Sequence, residues 1–189
     1  MPDAADARKL FAHIQAVETL SPADLSELCE ATEQAVLDVR NGFTVGLHRS
    51  EPLARGRLES YWKGVLMVPE RVLIIGRIDG VIGGAIQFLR PSPINQTSSF
   101  AALVENHFVV NWARGHGLAK DLLAFCEREA QEYGLGVLRA SVRADMQDAI
   151  EAYEERGFIC WGTLDAYEKL DGKVLPGKFY YKVLDRSLL

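Results

Sequence analysis

The residues most able to do chemistry lie in the stretch 108–120, where an apolar run passes through a glycine-rich turn into a helical pattern. The first N–H groups of a helix have no partner inside the helix and carry the positive end of its dipole. Gly115 and Gly117 lack the Cβ atoms that would keep a phosphate away from those groups. Arg114 and Lys120 flank the turn and can add charge-assisted hydrogen bonds. The stretch therefore predicts a diphosphate-binding loop.

Two common phosphate-binding motifs do not fit this stretch. A dinucleotide-binding fingerprint requires a third glycine three residues after the second, and Lys120 stands there instead. A nucleoside-triphosphate loop requires Gly-Lys followed by Ser or Thr, which the stretch lacks. What remains is Arg114-x-x-Gly117-x-Ala119 after a strand. From these residues alone, a diphosphate loop and a glycine-rich helix start without a ligand both stay open.

A second group of chemistry-bearing residues precedes the turn. Leu103, Glu105, His107 and Val109 alternate in sequence, so a regular strand would place all four side chains on one face. Buried polar groups are costly without partners, so Glu105 and His107 on an otherwise apolar face indicate a site. Either residue is a candidate general base. The alternative is that both line a wet cleft, or pair with each other, without transferring a proton.

The rest of the chain supplies the elements that must position these residues. Ser21-Pro22 is a strong helix start, and two apolar runs around Asp79-Gly80 predict a β-hairpin. The predicted elements are an edge strand at 10–17, helices at 21–39 and 51–67, strands at 71–78, 81–89 and 99–110, a helix at 118–132, a strand at 137–142, a helix at 146–156, and strands at 158–164 and 179–184. This order predicts a flexible tail at 1–9 and one α/β domain at 10–189.

Composition bounds the class of protein. At 189 residues, 48% of them hydrophobic, the chain is long enough for one well-filled core. The net charge of -5 disfavours nucleic acid as the main partner, and no apolar run is long enough to span a bilayer. Three widely spaced cysteines and an acidic N-terminus predict a cytoplasmic protein. The cysteines and the four histidines lack metal-site spacing, so no metal is expected.

The loop motif Arg114-x-x-Gly117-x-Ala119 resembles the acetyl-CoA loop of the GNAT superfamily of N-acetyltransferases, whose pattern is Gln/Arg-x-x-Gly-x-Gly/Ala. Ala149-x-x-x-Tyr153-x-x-x-Gly157-Phe158 resembles the second motif of that family, and the ending at 179–184 is similar to its closing strand. The element order after residue 20 also agrees. Within the superfamily, residues 41–47 and the ending are similar to the tabtoxin-resistance acetyltransferase.

The resemblance implies a central mixed, mostly antiparallel sheet of about seven strands, flanked by about four helices. Two parallel strands, 100–110 and 137–142, would splay apart so that acetyl-CoA enters between them. Its pantetheine arm would lie along the first strand, and its pyrophosphate would lie on the amides of residues 114–119. The implied cofactor-binding residues are Phe108, Val109, Val110, Arg114, Gly115, His116, Gly117, Leu118, Ala119, Lys120, Met146 and Tyr153.

The resemblance also implies direct attack of an amine on acetyl-CoA within a ternary complex. Tyr153 matches the family tyrosine that protonates the departing thiolate, although a tyrosine that is simply part of the core is the alternative. The backbone amide of Val109 or Val110 would stabilise the oxyanion. The family often places its base on the strand that carries Glu105 and His107. The predicted catalytic residues are therefore Tyr153, Glu105 and His107.

Two positions depart from the family pattern. Met146 replaces an asparagine that contacts the pantetheine arm or the loop, and Val142 replaces an aspartate of the tabtoxin-resistance subgroup. The acceptor pocket would be walled by residues 43–48, with Tyr61 and Trp62 as further candidates.

The expected function is that of a cytoplasmic, acetyl-CoA-dependent N-acetyltransferase acting on a small-molecule amine. We expect no nucleic-acid or membrane partner, and a homodimer is left open. Acetylation of a protein N-terminus or lysine is one alternative. A CoA-binding sensor that no longer catalyses the reaction is another.

Overall fold

The chain folds around a seven-stranded mixed sheet. The computed structural model describes residues 11–38 and 55–189. Its strands are β1 (Ala12–Val17), β2 (Arg71–Ile78), β3 (Val81–Leu89), β4 (Ala101–Val109), β5 (Val137–Arg143), β6 (Ile159–Leu170) and β7 (Lys173–Val183), and its helices are α1 (Pro22–Leu37), α2 (Arg55–Leu66), α3 (Leu118–Glu132) and α4 (Gln147–Glu155). The strand order is β1-β2-β3-β4-β5-β7-β6, with β4 and β5 parallel and the other described pairs antiparallel. The predicted α/β fold is confirmed, whereas the tail at 1–9 and the loop at 43–48 lie outside the described residues.

Local sequence signals explain where several of these elements begin. Ser21 caps α1, because its hydroxyl accepts a hydrogen bond from the N–H of Asp24 at 3.1 Å. The turn between β2 and β3 has positive φ at both central residues, 50° at Asp79 and 87° at Gly80. Asp-Gly tolerates this conformation, which matches the twist of the flanking strands. The predicted hairpin is confirmed. The predicted start of α2, at residue 51, lies outside the described part of the chain.

Different helices cover the two faces of the sheet. On one face, which we call the α3 face, Leu118 and Leu122 pack where Gly76 and Gly84 carry no side chain. On the other, the α2 face, the hydroxyl of Tyr61 accepts a hydrogen bond from Gln87 at 3.3 Å. Gly84 and Gln87 are three residues apart in β3, so their positions point to opposite faces.

β4 and β5 separate part of the way along their length. Their register runs from Ala101 opposite Val137 to Val104 opposite Ala140. Beyond this point β4 continues against β3, and β5 continues to Arg143 against β7. A gap therefore opens between the two parallel strands, as the predicted splay requires.

A β-bulge in β4 overturns the predicted alternation of Leu103, Glu105, His107 and Val109. Glu105 pairs with Gln87, whereas Phe108 pairs with Ala85, so two residues of β4 stand opposite one residue of β3. Asn106, the first of those two, has a φ of 49°. An extra residue in a strand reverses the alternation beyond it. Glu105 consequently faces α2, and His107 faces α3 and α4.

β6 and β7 are longer than predicted and form one hairpin around Asp171-Gly172. The polar connection expected between residues 164 and 179 is mostly strand. Register shifts lie between Cys160 and Gly162 and between Leu164 and Glu168. The second shift places three residues of β6 opposite Pro176, which has no N–H to give to a ladder. These bulges break the alternation by which a strand is read from sequence.

Candidate active site

The glycine-rich stretch forms the predicted strand, turn and helix start. After β4 a single 3-10 turn (Asn111–Ala113) leads to Arg114, and α3 begins at Leu118. Gly115 and Gly117 have φ of 78° and 81°, a region that side chains with a Cβ rarely adopt. Gly117 is the N-cap of α3 and has no capping side chain. The first N–H groups of α3 therefore point out of the helix end and can receive an anion.

A cavity of about 420 Å³ lies between this loop, the end of β4 and one side of α4. This volume falls within the ordinary range for small-molecule sites. The predicted cofactor-binding residues that line it are Phe108, Val109, Arg114, Gly115, Gly117, Leu118, Ala119, Lys120 and Met146. Val110, His116 and Tyr153 are not part of its lining. The structure thus brings most of the predicted set to one cavity.

Both basic side chains of the loop are held by carboxylates. The Arg114 guanidinium donates to Asp38 Oδ2 at 2.6 Å, which ties the loop to the residue after α1. The Lys120 ammonium pairs with Glu155 of α4. Asp148 and Glu151 of α4 also line the cavity, an acidic contribution that the sequence motifs do not indicate. Because the two cations of the loop already have carboxylate partners, an anion bound here would depend chiefly on backbone N–H groups.

His107 presents a buried nitrogen without a partner beside the cavity. Its Nε2 atom is inaccessible to solvent and has no hydrogen-bond partner among the described residues, although the residue as a whole is partly exposed. Burial lowers the pKa of His107 to about 4, and a hydrogen bond with the backbone of Ala119 acts in the opposite direction. The imidazole is therefore neutral near pH 7. Its ring contacts that of Tyr153 edge-on, with centroids 5.7 Å apart.

Tyr153 lies in an aromatic cluster next to the gap between β4 and β5. Its ring stacks on Tyr180 and meets the ring of Phe158 edge-on, at centroid distances of 6.0 and 5.0 Å. Burial raises the pKa of the Tyr153 phenol, and the nearby Cys126 and Tyr167 raise it further. A raised pKa keeps the phenol of Tyr153 protonated near pH 7.

Glu105 belongs to a hydrogen-bonded network on the α2 face. Arg71 donates from Nη1 to Glu105 Oε2 at 2.6 Å and to Gln87 Oε1 at 3.1 Å. Glu105 and Arg71 keep 29% and 24% of their side-chain surfaces exposed, so the pair is open to a ligand. Arg71 and Gln87 were not predicted as site residues, because the pattern of a buried strand does not indicate which of its positions will lie beside Glu105.

On the α2 face, Ser141 of β5 and Tyr167 of β6 line the gap on the side away from β4. Ser141 is the first residue of β5 beyond the β4–β5 pairing, and its Oγ lies 2.8 Å from the hydroxyl of Tyr167 on β6. The ring of Tyr167 covers Gly177, where any Cβ would collide with it. Tyr167 and Ser141 were not predicted as site residues either, since Tyr167 lies in the segment that was expected to be a connection.

The two backbone amides predicted to stabilise the oxyanion are those of Val109 and Val110. The N–H of Val110 donates to the carbonyl of Gly83 at 2.9 Å, so this amide is already engaged in the sheet. The N–H of Val110 is therefore not open to an oxyanion, and a role for Val109, which lines the cavity, stays a prediction.

Met146 gives the cavity an apolar wall where the family pattern has a polar one. It is the residue before α4, lines the cavity, and packs against the hydrophobic core. A thioether cannot donate a hydrogen bond. Any polar contact made by the family asparagine is therefore absent from this position.

Residues 11–38 and 55–189 contain neither a group of metal-ligating side chains nor a membrane-spanning helix. No group of three or more His, Cys, Asp or Glu side chains there could hold a metal ion. No helix there is long and apolar enough to cross a membrane.

Comparison with known proteins agrees with this geometry. Residues 34–158 match the Acetyltransferase (GNAT) family. The chain is 43% identical over 130 residues to an uncharacterized N-acetyltransferase in the hisH-hisA intergenic region of Azospirillum brasilense, an alignment that covers 69% of this chain and 74% of that relative. The chain therefore belongs to the GNAT family of acetyltransferases, whose acetyl donor is acetyl-CoA.

Solved structures show the same fold at low sequence identity. A putative acetyltransferase from Salmonella typhimurium, yncA, solved with its cofactor acetyl-CoA, is 18% identical with a TM-score of 0.71, covering 93% of this chain and 95% of its own. An N-acetyltransferase from Staphylococcus aureus Mu50 is 21% identical with a TM-score of 0.73, covering 93% and 99%. These similarities concern the fold, and membership of the tabtoxin-resistance subgroup stays a prediction.

The site has the features that acetyl-CoA requires. Gly115 and Gly117, both with positive φ, carry no Cβ atoms, and the outward N–H groups of α3 suit a pyrophosphate. The cavity then runs from this loop to His107 and Phe108, beside the gap. An arm that follows it would reach the gap from the α3 face, whereas Glu105 stands on the α2 face.

Proposed function

We propose that this protein transfers the acetyl group of acetyl-CoA to the amine of a small molecule, by direct attack within a ternary complex. The observation that carries the proposal is that the cavity and Glu105 lie on opposite faces of the sheet at the gap between β4 and β5. The cofactor cavity opens on the α3 face, and a partly exposed carboxylate, Glu105, stands on the α2 face. Reactants that enter from opposite faces meet at the gap without an enzyme-bound acetyl group.

Acetyl-CoA supplies an acetyl group activated as a thioester. The N–H groups at the start of α3 would hold its pyrophosphate, with Gly115 and Gly117 giving it access. The backbone of Phe108 and Val109 would hold its pantetheine arm, with Met146 as the apolar wall. The N–H of Val109 is the proposed donor to the oxyanion.

Glu105 is the proposed base, directly or through a water molecule. Its Oε2 accepts from Arg71, whereas its Oε1 has no hydrogen-bond partner among the described residues and can take a proton from an ammonium group. The Arg71 guanidinium keeps the carboxylate oriented. His107 faces the cofactor side of the sheet, so its role as a base is the weaker of the two, and contact with the pantetheine arm is the alternative.

Tyr153 is the proposed acid. Its phenol stays protonated near pH 7 in the buried cluster, so it carries a proton that it can give to the sulfur as the C–S bond breaks. With ordinary pKa values near 10 for a phenol and 8.5 for a thiol the transfer is uphill, so the step requires that desolvation in the site also raises the pKa of the departing thiol. The ring packing against Tyr180 and Phe158 fixes the direction of the hydroxyl.

The acceptor that we propose is a small amine rather than a protein. Tyr167 and Ser141 lie on the α2 face across the gap from Glu105, and this enclosure favours a compact molecule over a bulky chain. A peptide N-terminus or lysine is the second acceptor class, and a CoA-binding sensor is the non-catalytic alternative. Similarity to the tabtoxin-resistance acetyltransferase and a cytoplasmic location are parts of the proposal that rest on sequence alone.

The test is release of free CoA thiol from acetyl-CoA across a panel of small amines and peptides. We expect turnover with at least one small amine and no acetylated protein when acetyl-CoA is supplied alone. Turnover with peptides but with no small amine would show that the acceptor is a protein amine rather than a small molecule. A stable acetyl-enzyme would contradict direct attack, and tight cofactor binding without any turnover would favour the sensor.

A further inference from the structure

We propose that Tyr61 is a positioning residue that locks the β-bulge at Asn106 and thereby fixes Glu105 on the α2 face. The inference rests on the role of Glu105 in the proposed function. Tyr61 lies on α2, and its hydroxyl accepts hydrogen bonds from two side chains of the sheet: Asn106 Nδ2 at 2.6 Å and Gln87 Nε2 at 3.3 Å.

The second of these bonds connects Tyr61 to Glu105 through an oriented amide. Gln87 Oε1 accepts from Arg71 Nη1 at 3.1 Å, so the Gln87 NH₂ group must point the other way, toward Tyr61. Gln87 is fully buried, and a buried amide needs partners at both ends. The same Arg71 Nη1 holds Glu105 Oε2 at 2.6 Å. Tyr61 is thus the end of a chain that runs through Gln87 and Arg71 to the carboxylate.

The hydrogen bond from Asn106 to the Tyr61 hydroxyl acts on the main chain of β4. Asn106 has a φ of 49°, a left-handed conformation that costs free energy in a strand unless the surroundings enforce it. The bulge is what separates the faces of Glu105 and His107. By holding the Asn106 side chain, Tyr61 favours the bulged register over one in which the strand continues to alternate. Both bonds therefore converge on the placement of Glu105.

The variant Tyr61→Phe removes the hydroxyl and keeps the ring. That ring packs edge-on against Trp62, with centroids 4.9 Å apart, so helix packing is preserved. Gln87 Nε2 and Asn106 Nδ2 both lose their acceptor. We expect the bulge to become more mobile and the Glu105 carboxylate to lose its fixed orientation.

Thr32→Val is the matched control. Thr32 Oγ1 is buried between α1 and α2 and accepts from Trp62 Nε1 at 3.0 Å. The variant removes one buried hydroxyl from the same helix pair, leaves one buried donor unsatisfied, and touches no member of the Tyr61 network. A loss of stability shared by both variants can therefore be separated from an effect on the bulge.

The first measurement is backbone hydrogen exchange of the full chain without ligand, in segments that cover residues 104–108. Tyr61→Phe should speed exchange there relative to wild type, and Thr32→Val should not. Equal exchange in Tyr61→Phe and wild type would overturn the lock. This result is independent of catalysis, so it decides the proposal even if no amine is acetylated and the proposed function fails.

The second measurement is a kinetic double-mutant cycle with the amine identified by the panel. Tyr61→Phe should lower kcat about 10- to 100-fold, the scale of a slightly misplaced catalytic group, and change the KM for acetyl-CoA less than about 2-fold, because that cavity opens on the other face. In a Glu105→Gln background the same change should have little further effect. If Tyr61→Phe lowered kcat by the same factor in the Glu105→Gln background as in wild type, Tyr61 would not act through Glu105 and the inference would be overturned.

Discussion

Glu105 and His107 are two residues apart in β4 and face opposite sides of the sheet. The bulge at Asn106, where φ is 49°, reverses the alternation between them. Arg71 binds Glu105 on the α2 face, and Tyr153 contacts His107 on the α3 face. The two residues cannot form the side-by-side pair that a regular strand would make. One polar group is instead available on each side of the gap.

The conformation of Gly117 predicts a selective loss of cofactor binding. Gly117→Val places a branched side chain at a φ of 81°, at the N-cap of α3, and obstructs the amides that would hold the pyrophosphate. We expect acetyl-CoA affinity to fall at least about tenfold, or 1.4 kcal/mol, as measured by calorimetry.

Gly172→Val is the control for backbone strain. Gly172 has a φ of 80° in the β6–β7 turn, and a Cβ there would meet nothing within 4 Å. Both variants should lose about 1–3 kcal/mol of unfolding free energy, and only Gly117→Val should lose affinity. Unchanged affinity in Gly117→Val would remove the loop from the cofactor site.

The buried imidazole of His107 predicts a pH dependence of stability. Its pKa falls from 6.5 to about 4 on folding, so between these values the unfolded chain binds more protons than the folded one. The stabilisation from neutral His107 is complete above pH 6.5 and is lost as the pH falls toward 4. Its upper limit is about 3 kcal/mol.

His107→Gln should show a shallower loss of unfolding free energy between pH 6.5 and 4 than wild type, measured by urea denaturation at several pH values. The glutamine keeps a polar side chain at the cavity but does not titrate. Parallel curves for the two proteins would mean that His107 is not held neutral by burial.

Tyr153 should behave as an acid, in contrast to the tyrosine that stacks on it. Tyr153→Phe removes the proposed proton donor and should lower kcat about 100-fold or more. Tyr180→Phe removes a hydroxyl from the same aromatic cluster, one that donates to Glu154 at 3.0 Å, and should leave kcat within a few-fold. Equal kcat losses in thiol-release assays would indicate that the cluster is purely structural.

The ion-pair cluster at Glu127 predicts a large effect on stability. Glu127 Oε2 binds Arg156 at 2.5 Å and Lys182 at 2.8 Å, and only 9% of its side chain is exposed. Glu127→Gln leaves two cations without their counter-charge and should cost about 3 kcal/mol in thermal or urea unfolding. Glu59→Gln breaks an exposed pair with Lys63 and should cost less than about 1 kcal/mol. Comparable losses would argue against a buried cluster that fastens α4 to α3 and β7.

Short-range signals predicted the elements around the site well. The loop from β4 to α3 follows from two glycines, and both have a left-handed backbone in the structure. The β2–β3 hairpin follows from Asp79-Gly80, and the start of α1 from Ser21-Pro22. In each case the residues that determine the local structure lie within that same loop, turn or helix start.

Long-range pairing accounts for what the sequence did not predict. The bulge at Asn106 depends on register with β3 and on Tyr61 of α2, 45 residues away. The meeting of Arg71 with Glu105 likewise spans three strands. In the β6–β7 hairpin, Tyr167 covers Gly177 at the second of two bulges, and a bulged strand loses the alternation that identifies strands.

The measurement that tests the central claim most directly is the perturbation of backbone amide resonances by acetyl-CoA in the full chain. The largest changes should fall on residues 115–120, with further changes along Phe108 and Val109 and small ones at the exposed turn of Asp171 and Gly172. Perturbations that avoid residues 115–120, or no perturbation at millimolar acetyl-CoA, would contradict the account.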